Sequence, residues 1–259
     1  MSKHFFQNEL ARKFLKKIYR IYAYSFIFSN KKKIFINSIP KAGTHLALGI
    51  IEEVPGYMNS GIYIDMWELD KNNSKFQKMS KFKLDIFKLR KILSKVRNGQ
   101  IITAHLPWDK RIVKEFHNHN FVIFNLSRKK SKIIDSNLYY IKNLKRHFLH
   151  NIIINEFKDD KERKFALKNG LKSKNKKIYF DGFNYLIKNF NNWKKSKNII
   201  QLNFEELVST SYGGNLRKLK KIYKKILFHL DVEQSDQHIN DLINKTTNKK
   251  SFTFNKGRP

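Results

Sequence analysis

The chain has 259 residues, with 54 Lys and Arg against 21 Asp and Glu, a formal charge of +33, and 41% hydrophobic residues. That length suits one α/β domain with a sizeable core, and the apolar and aromatic content excludes wholesale disorder. Cysteine is absent, so disulfide scaffolds, Cys-ligated zinc and thiol nucleophiles are excluded, and a cytoplasmic location is expected.

Residues 1–33 precede the first strand and read as a basic amphipathic helix. Leu10, Phe14, Ile18, Ile21 and Ser25 recur at helical spacing, with Lys13, Lys16, Lys17 and Arg20 between them. The apolar stretch Ile21 to Phe28 is far shorter than the roughly 20 residues of a membrane-spanning helix. Packing against the domain is the expected fate of the stripe; peripheral membrane contact through residues 5–29 is the alternative.

From residue 34 to 259 the pattern alternates strand and helix. Ile34–Asn37 reads as a buried strand and Thr44–Glu53 as a helix stopped by Pro55-Gly56. Residues 57–73 read as a loop crossing an edge of the domain. Phe82, Ile86, Leu89, Leu93 and Val96 fall on one helical face, which Asn98-Gly99 ends. Ile101–Thr103 is a short strand. Phe121–Leu126 is the clearest buried strand, followed by a helix from about Ser131. Residues 158–177 are basic and polar and read as a surface excursion. A helix over 182–195, strand Ile199–Phe204, and helices near 215–230 and 234–245 complete the series. Strands separated by helices imply a parallel sheet with right-handed crossovers and a ligand crevice at the strands' carboxyl ends.

The loops at those ends carry the chemistry. The first strand runs into Ser38-Ile39-Pro40-Lys41-Ala42-Gly43-Thr44-His45 and then directly into a helix. A tight glycine-bearing loop at a helix N-terminus cradles phosphate with backbone N–H groups, and Lys adds a point charge. It lacks the G-x-x-x-x-G-K-[ST] order of a Walker A loop; an ordinary turn with an incidental Lys is the competing reading. The second strand ends in Ala104-His105-Leu106-Pro107, where a neutral imidazole can take a proton from an attacking hydroxyl. The third ends in Ser127-Arg128, with Ser136 on the following helix; Arg is the natural bidentate partner of phosphate. His147 and His150 lie three apart, but no third ligand stands near them in sequence, so no metal site is expected.

Taken together, these motifs resemble the sulfotransferase family that uses 3′-phosphoadenosine 5′-phosphosulfate as donor. IPKAGTHL (Ile39–Leu46) looks like the family's 5′-phosphosulfate loop PKSGTTWL, and AHLP (Ala104–Pro107) like its T-H-L-P segment. LSRKKSKIIDS (Leu126–Ser136) resembles the 3′-phosphate segment, in which Arg precedes Ser by eight positions. NFEEL (Asn203–Leu207) is similar to YED-L, and TFNKG (Thr253–Gly257) to F-R-K-G.

The resemblance implies a three-layer, P-loop-NTPase-like parallel sheet flanked by helices, the sulfotransferase fold. It implies Lys41 on the 5′-phosphate and bridging oxygen, and Ala42, Gly43, Thr44 and His45 holding the 5′-phosphate through their N–H groups. Arg128 and Ser136 would bind the 3′-phosphate, Phe204, Lys256 and Gly257 would complete the donor site, and His105 would be the general base. The reaction implied is sulfuryl transfer to a hydroxyl or amine of a glycan or lipid, without a metal.

Leu46, Thr103, Phe204 and Asn255 depart from the family's usual Trp, Lys, Tyr and Arg, and the family's closing G-x-W does not follow Gly257, as in a C-terminally truncated chain. Two other readings stand beside this one: a kinase-like P-loop protein, and a basic polyanion- or membrane-surface module with a vestigial nucleotide site. The +33 charge is spread over the whole chain, so no specific nucleic-acid partner is expected.

Overall fold

The computed structural model describes Ile18 and residues 30–72, 82–175, 177–210 and 213–248. The N-terminal stripe, Ile18 apart, and Asn255, Lys256 and Gly257 lie outside the described residues.

Five parallel strands form the central sheet: β1 (Lys33–Ser38), β2 (Met58–Ile64), β3 (Gln100–Ala104), β4 (Phe121–Ser127) and β7 (Ile199–Asn203), in the order β2-β3-β1-β4-β7. The central strand reads KIFINS, and its side chains alternate between the two faces of the sheet as the pleat requires. Ile34 and Ile36 pack on one face with α1 (Thr44–Glu52), α9 (Leu216–His229) and α10 (Asp236–Asn248). Phe35 packs on the other, where it stacks on Phe116 of α3 (Lys110–Asn118) at 3.7 Å between ring centroids and meets Trp193. That second layer also holds α2 (Ile86–Leu93), α4 (Lys130–Asn143), α5 (His150–Asn155), α6 (Asp160–Asn169) and α7 (Gly182–Phe190). The result is the three-layer parallel α/β architecture expected from the sequence.

Five details differ from the sequence reading. Residues 57–73 are not simply a loop: Met58–Ile64 is the sheet's edge strand, paired with β3 through a register shift between Asn59 and Tyr63. Its polar centre, Asn59-Ser60-Gly61, hides the strand from pattern analysis, whereas in the fold the Ser60 hydroxyl donates to the carbonyl of Ile101. The helix read from Phe82 to Val96 spans only Ile86–Leu93, because Asp85 caps its start by accepting from the Lys88 N–H. The excursion at 158–177 is α6 plus a two-residue hairpin, β5 (Leu171–Lys172) with β6 (Tyr179–Phe180). The helix read over 182–195 is α7 followed by a 3₁₀ turn, Asn191–Lys195. Helix α3, which no periodicity announced, is tied to α2 by a bidentate pair from Arg90 to Glu115.

Truncating Phe35 removes the ring on which both Phe116 and Trp193 rest. The Phe35→Ala variant is therefore expected to lose about 3–5 kcal/mol in urea unfolding, with the cost of the cavity included.

Candidate functional site

The site forms where β1, β3 and β4 end together. Asn37, the last-but-one residue of β1, is fully buried, and its amide makes two bonds with one residue of the neighbouring loop. Its Nδ2 donates to the Leu106 carbonyl at 3.0 Å, and its Oδ1 accepts from the Leu106 N–H at 2.9 Å. The Trp193 indole donates to the same carbonyl at 3.1 Å. The loop carrying His105 is thus welded to the strand that carries Lys41.

The loop after β1 is held in a conformation ordinary residues avoid. Lys41 has φ +69° and Gly43 φ +103°, both left-handed. Gly43 caps α1, and a Cβ there would stand 2.5 Å from Cδ2 of Phe204. Glycine is therefore required twice, by the backbone angle and by the ring beside it. The Ser38 and Thr44 hydroxyls bond each other across the loop. No side chain caps α1, and a helix N-terminus without a side-chain cap suits an anion.

His105 is oriented by the same frame. Its Nδ1 lies 2.8 Å from the Ser38 carbonyl, which can only accept, so Nδ1 carries the proton and Nε2 is the ring's lone-pair atom. Burial pushes its pKa down to about 4, with the positive charge of Lys41 contributing, so the ring is neutral at pH 7. The ring of Tyr63 on β2 stands edge-on to it at 5.5 Å.

Arg128, just past β4, reaches back to the loop after β1. Its Nη1 donates to the Lys41 carbonyl at 2.9 Å, and its guanidinium lies 4.0 Å over the Phe204 ring. Burial holds it below its ordinary value, and its Nε is buried with no hydrogen-bond partner among the described residues. A buried guanidinium with an unsatisfied donor is what a bound oxyanion would complete. The neighbouring Lys129 N–H is taken by Glu205, which ties the start of this segment to the end of β7. Lys41 itself is held down to about 8 by burial and by the charge of Arg128.

The structure therefore brings Lys41, Ala42, Gly43, Thr44, His45, His105, Arg128 and Phe204 to one end of the sheet. Ala42 is fully buried and His45 is exposed. Ser136 lies half-buried on α4 beside Asn137. Three further residues escaped the sequence reading, Asn37, Asn137 and Tyr140, and His147, weighed there only as a metal ligand, packs beside Tyr140. The Asn137 amide donates to the Pro40 carbonyl at 3.2 Å and so fixes α4 against the loop. Only Asn37 left a sequence signal, as an amide inside an otherwise apolar strand. Among the described residues, no group of three or more His, Cys, Asp or Glu comes together to hold a metal, and no helix is long and apolar enough to cross a membrane.

No protein-family model matches this chain, and no curated protein matches it in sequence. Among solved structures it is similar to the crystal structure of mouse sulfotransferase SULT7A1 complexed with PAP, with a TM-score of 0.54 at 17% identity. The match covers 86% of this chain and 67% of that one. At this identity the likeness is one of fold, and the five-stranded parallel sheet with its helical layers is that P-loop-like fold.

Two predictions follow from the electrostatics and the backbone. His105 and His147 both titrate near 4 in the folded chain, each chiefly through burial, against about 6.5 when unfolded. Between pH 6.5 and 4 the unfolded chain binds more protons, so stability is full above 6.5 and falls as pH drops toward 4. Urea midpoints measured across that window are expected to decline, and less steeply in His147→Gln. Gly43→Ala is expected to lower the thermal midpoint, since it must strain the backbone and displace Phe204; an unchanged midpoint would contradict the geometry above.

Proposed function

We propose that the chain is a sulfotransferase that takes a sulfuryl group from 3′-phosphoadenosine 5′-phosphosulfate and passes it to a hydroxyl or amine. The observation that carries this reading is the bond from Arg128 to the Lys41 carbonyl, which places two cations and a helix N-terminus together beside a neutral His105. A donor with phosphates at both its 5′ and 3′ positions needs two such anchors, and the buried unsatisfied Nε of Arg128 suits the second.

In this reading the N–H groups of Gly43, Thr44 and His45 hold the 5′-phosphate, whereas the Ala42 N–H, expected to join them, is taken by the Ile39 carbonyl at 3.0 Å and shapes the turn instead. Lys41 offsets the charge that develops on the bridging oxygen. Arg128 and Ser136 bind the 3′-phosphate, with Phe204 beneath the guanidinium and Lys256 and Gly257 completing the donor site. His105 accepts the acceptor's proton on Nε2 as the new O–S (or N–S) bond forms. The old S–O bond breaks, and its electron pair leaves with adenosine 3′,5′-bisphosphate, so charge and protons balance with no metal in the step. Support comes from the ordered motifs, from the fold shared with a sulfotransferase described with PAP bound, and from the tautomer that the Ser38 carbonyl imposes on His105.

A neutral imidazole with so low a pKa also sets the pH response. Turnover is expected to hold from pH 7 down toward 5 and to fall only as His105 becomes protonated nearer 4.

The test is calorimetric titration with adenosine 3′,5′-bisphosphate, ATP and AMP at moderate salt. Selective binding of the bisphosphate, weakened at least about tenfold in Lys41→Ala or Arg128→Ala, is the expected outcome. His105→Ala is expected to bind the bisphosphate normally and to lose transfer of labelled sulfate. Equal, salt-sensitive binding of all three nucleotides would instead mark a nonspecific polyanion surface.

A further inference from the structure

Lys41 is an exceptional lysine in this chain. It is largely withdrawn from solvent, its backbone is left-handed, and its carbonyl is clamped by Arg128. The side chain is thereby sent toward α4, where its Nζ lies 3.4 Å from the centre of the Tyr140 ring. That is well inside the roughly 6 Å range over which a ring face attracts an ammonium. Tyr140 follows Asn137 by three residues and Ser136 by four, so all three share one face of α4. The same face holds the loop's backbone at Pro40 through Asn137 and its ammonium through Tyr140. The Tyr140 ring is itself braced edge-on by His147 at 5.8 Å, and His147 stacks on Phe148 at 4.9 Å.

Among the described residues, the titratable groups that act on Lys41 offer it no anion. Arg128 repels it, and His45, His105 and His147 are each held below their ordinary values partly by the lysine's own charge. Tyr63 stays a neutral phenol, its pKa raised first by burial and then by the Asp65 and Glu68 carboxylates, neither of which contributes to the shift at Lys41. A cation without a counter-ion is stabilised here by a ring face.

We propose that Tyr140 is a positioning residue for Lys41, its ring holding the ammonium charged and aimed at the mouth of the loop before an anionic ligand arrives. A flexible four-carbon stem would otherwise sample several rotamers, and ordering them would weigh against binding. The ring fixes the cation without neutralising it, so the ligand has no ion pair to break. The proposal rests on the reading of Lys41 as a phosphate-binding residue, and its test separates the two.

The experiment compares wild-type chain with Tyr140→Phe and Tyr140→Leu in two measurements. Tyr140 is 38% exposed, so both variants are expected to fold, with matching circular dichroism and thermal midpoints as the control. In the first measurement, an amine-reactive acetylating reagent is applied without nucleotide and modification of Lys41 is followed by mass spectrometry. The Phe variant is expected to react as wild type does, and the Leu variant several-fold faster. In the second, adenosine 3′,5′-bisphosphate is titrated at pH 7. Its affinity is expected to be kept within about twofold in Tyr140→Phe and reduced about tenfold in Tyr140→Leu. Equal labelling of Lys41 in all three proteins would overturn the proposal. So would bisphosphate binding to wild type that is undiminished in the Leu variant. A wild-type chain that fails to bind the bisphosphate would overturn the donor reading instead, and the labelling would still decide whether Tyr140 holds Lys41.

Discussion

The amide of Asn37 is fixed to the backbone of Leu106 by a donated and an accepted hydrogen bond, and the geometry of the site hangs on that pair. Asn37 is the last-but-one residue of the central strand, so whatever holds it also holds the loop that begins two residues later. Leu106 follows His105, so the same two bonds fix where the imidazole stands. Ser38 then sets the tautomer through its carbonyl. A buried amide that lost one of these partners would cost about 1–3 kcal/mol, so the arrangement is a single deep minimum, with the two loops locked together. Parallel strands make this economical: neighbouring carboxyl ends lie side by side, and one short side chain spans them.

Around that frame the protein concentrates positive charge without neutralising it. Lys41 and Arg128 are both depressed by burial, and the histidines nearby are kept neutral. The chain's overall +33 is of a different kind: most of the described lysines lie on solvated surfaces, where salt screens them. The two cations at the strand ends are distinguished by partial burial, by a hydrogen bond that ties one to the other's backbone, and by an unsatisfied donor. Net charge speaks for attraction to polyanions in general, whereas this geometry speaks for a ligand with oxyanions at defined places.

The strands that place the site were legible because each is a short apolar run bounded by turn residues: IFIN, IIT, FVIFNL and IIQLNF. Burial on both faces demands that composition. Strand β2 was not legible, because Asn59, Ser60 and Gly61 give it neither alternation nor an apolar run, and its pairing with β3 supplies what propensity does not. Helix α3 hid for a similar reason. Its buried face includes Glu115, which is inward only because Arg90 on α2 meets it. Lys41, Arg128 and His105 were readable as residues following strands, in motifs that resemble a known family. Asn137 and Tyr140 were not, since they meet the loop only through the packing of α4, and no local spacing encodes that contact.

The two cations share a further property that bears on why this site takes aromatic residues where others would serve. Lys41 sits 3.4 Å over Tyr140, and Arg128 sits 4.0 Å over Phe204. A carboxylate in either place would hold its cation more strongly, but it would compete with any incoming anion and raise the cost of exchange. A ring face orients the cation through its quadrupole and leaves its donors open. Phe204 serves this purpose without a hydroxyl, and its ring also fills the space that Gly43 leaves. Phe204 thus bears on the loop's backbone as well as on Arg128, which couples the conformation of the loop after β1 to the placing of its cations.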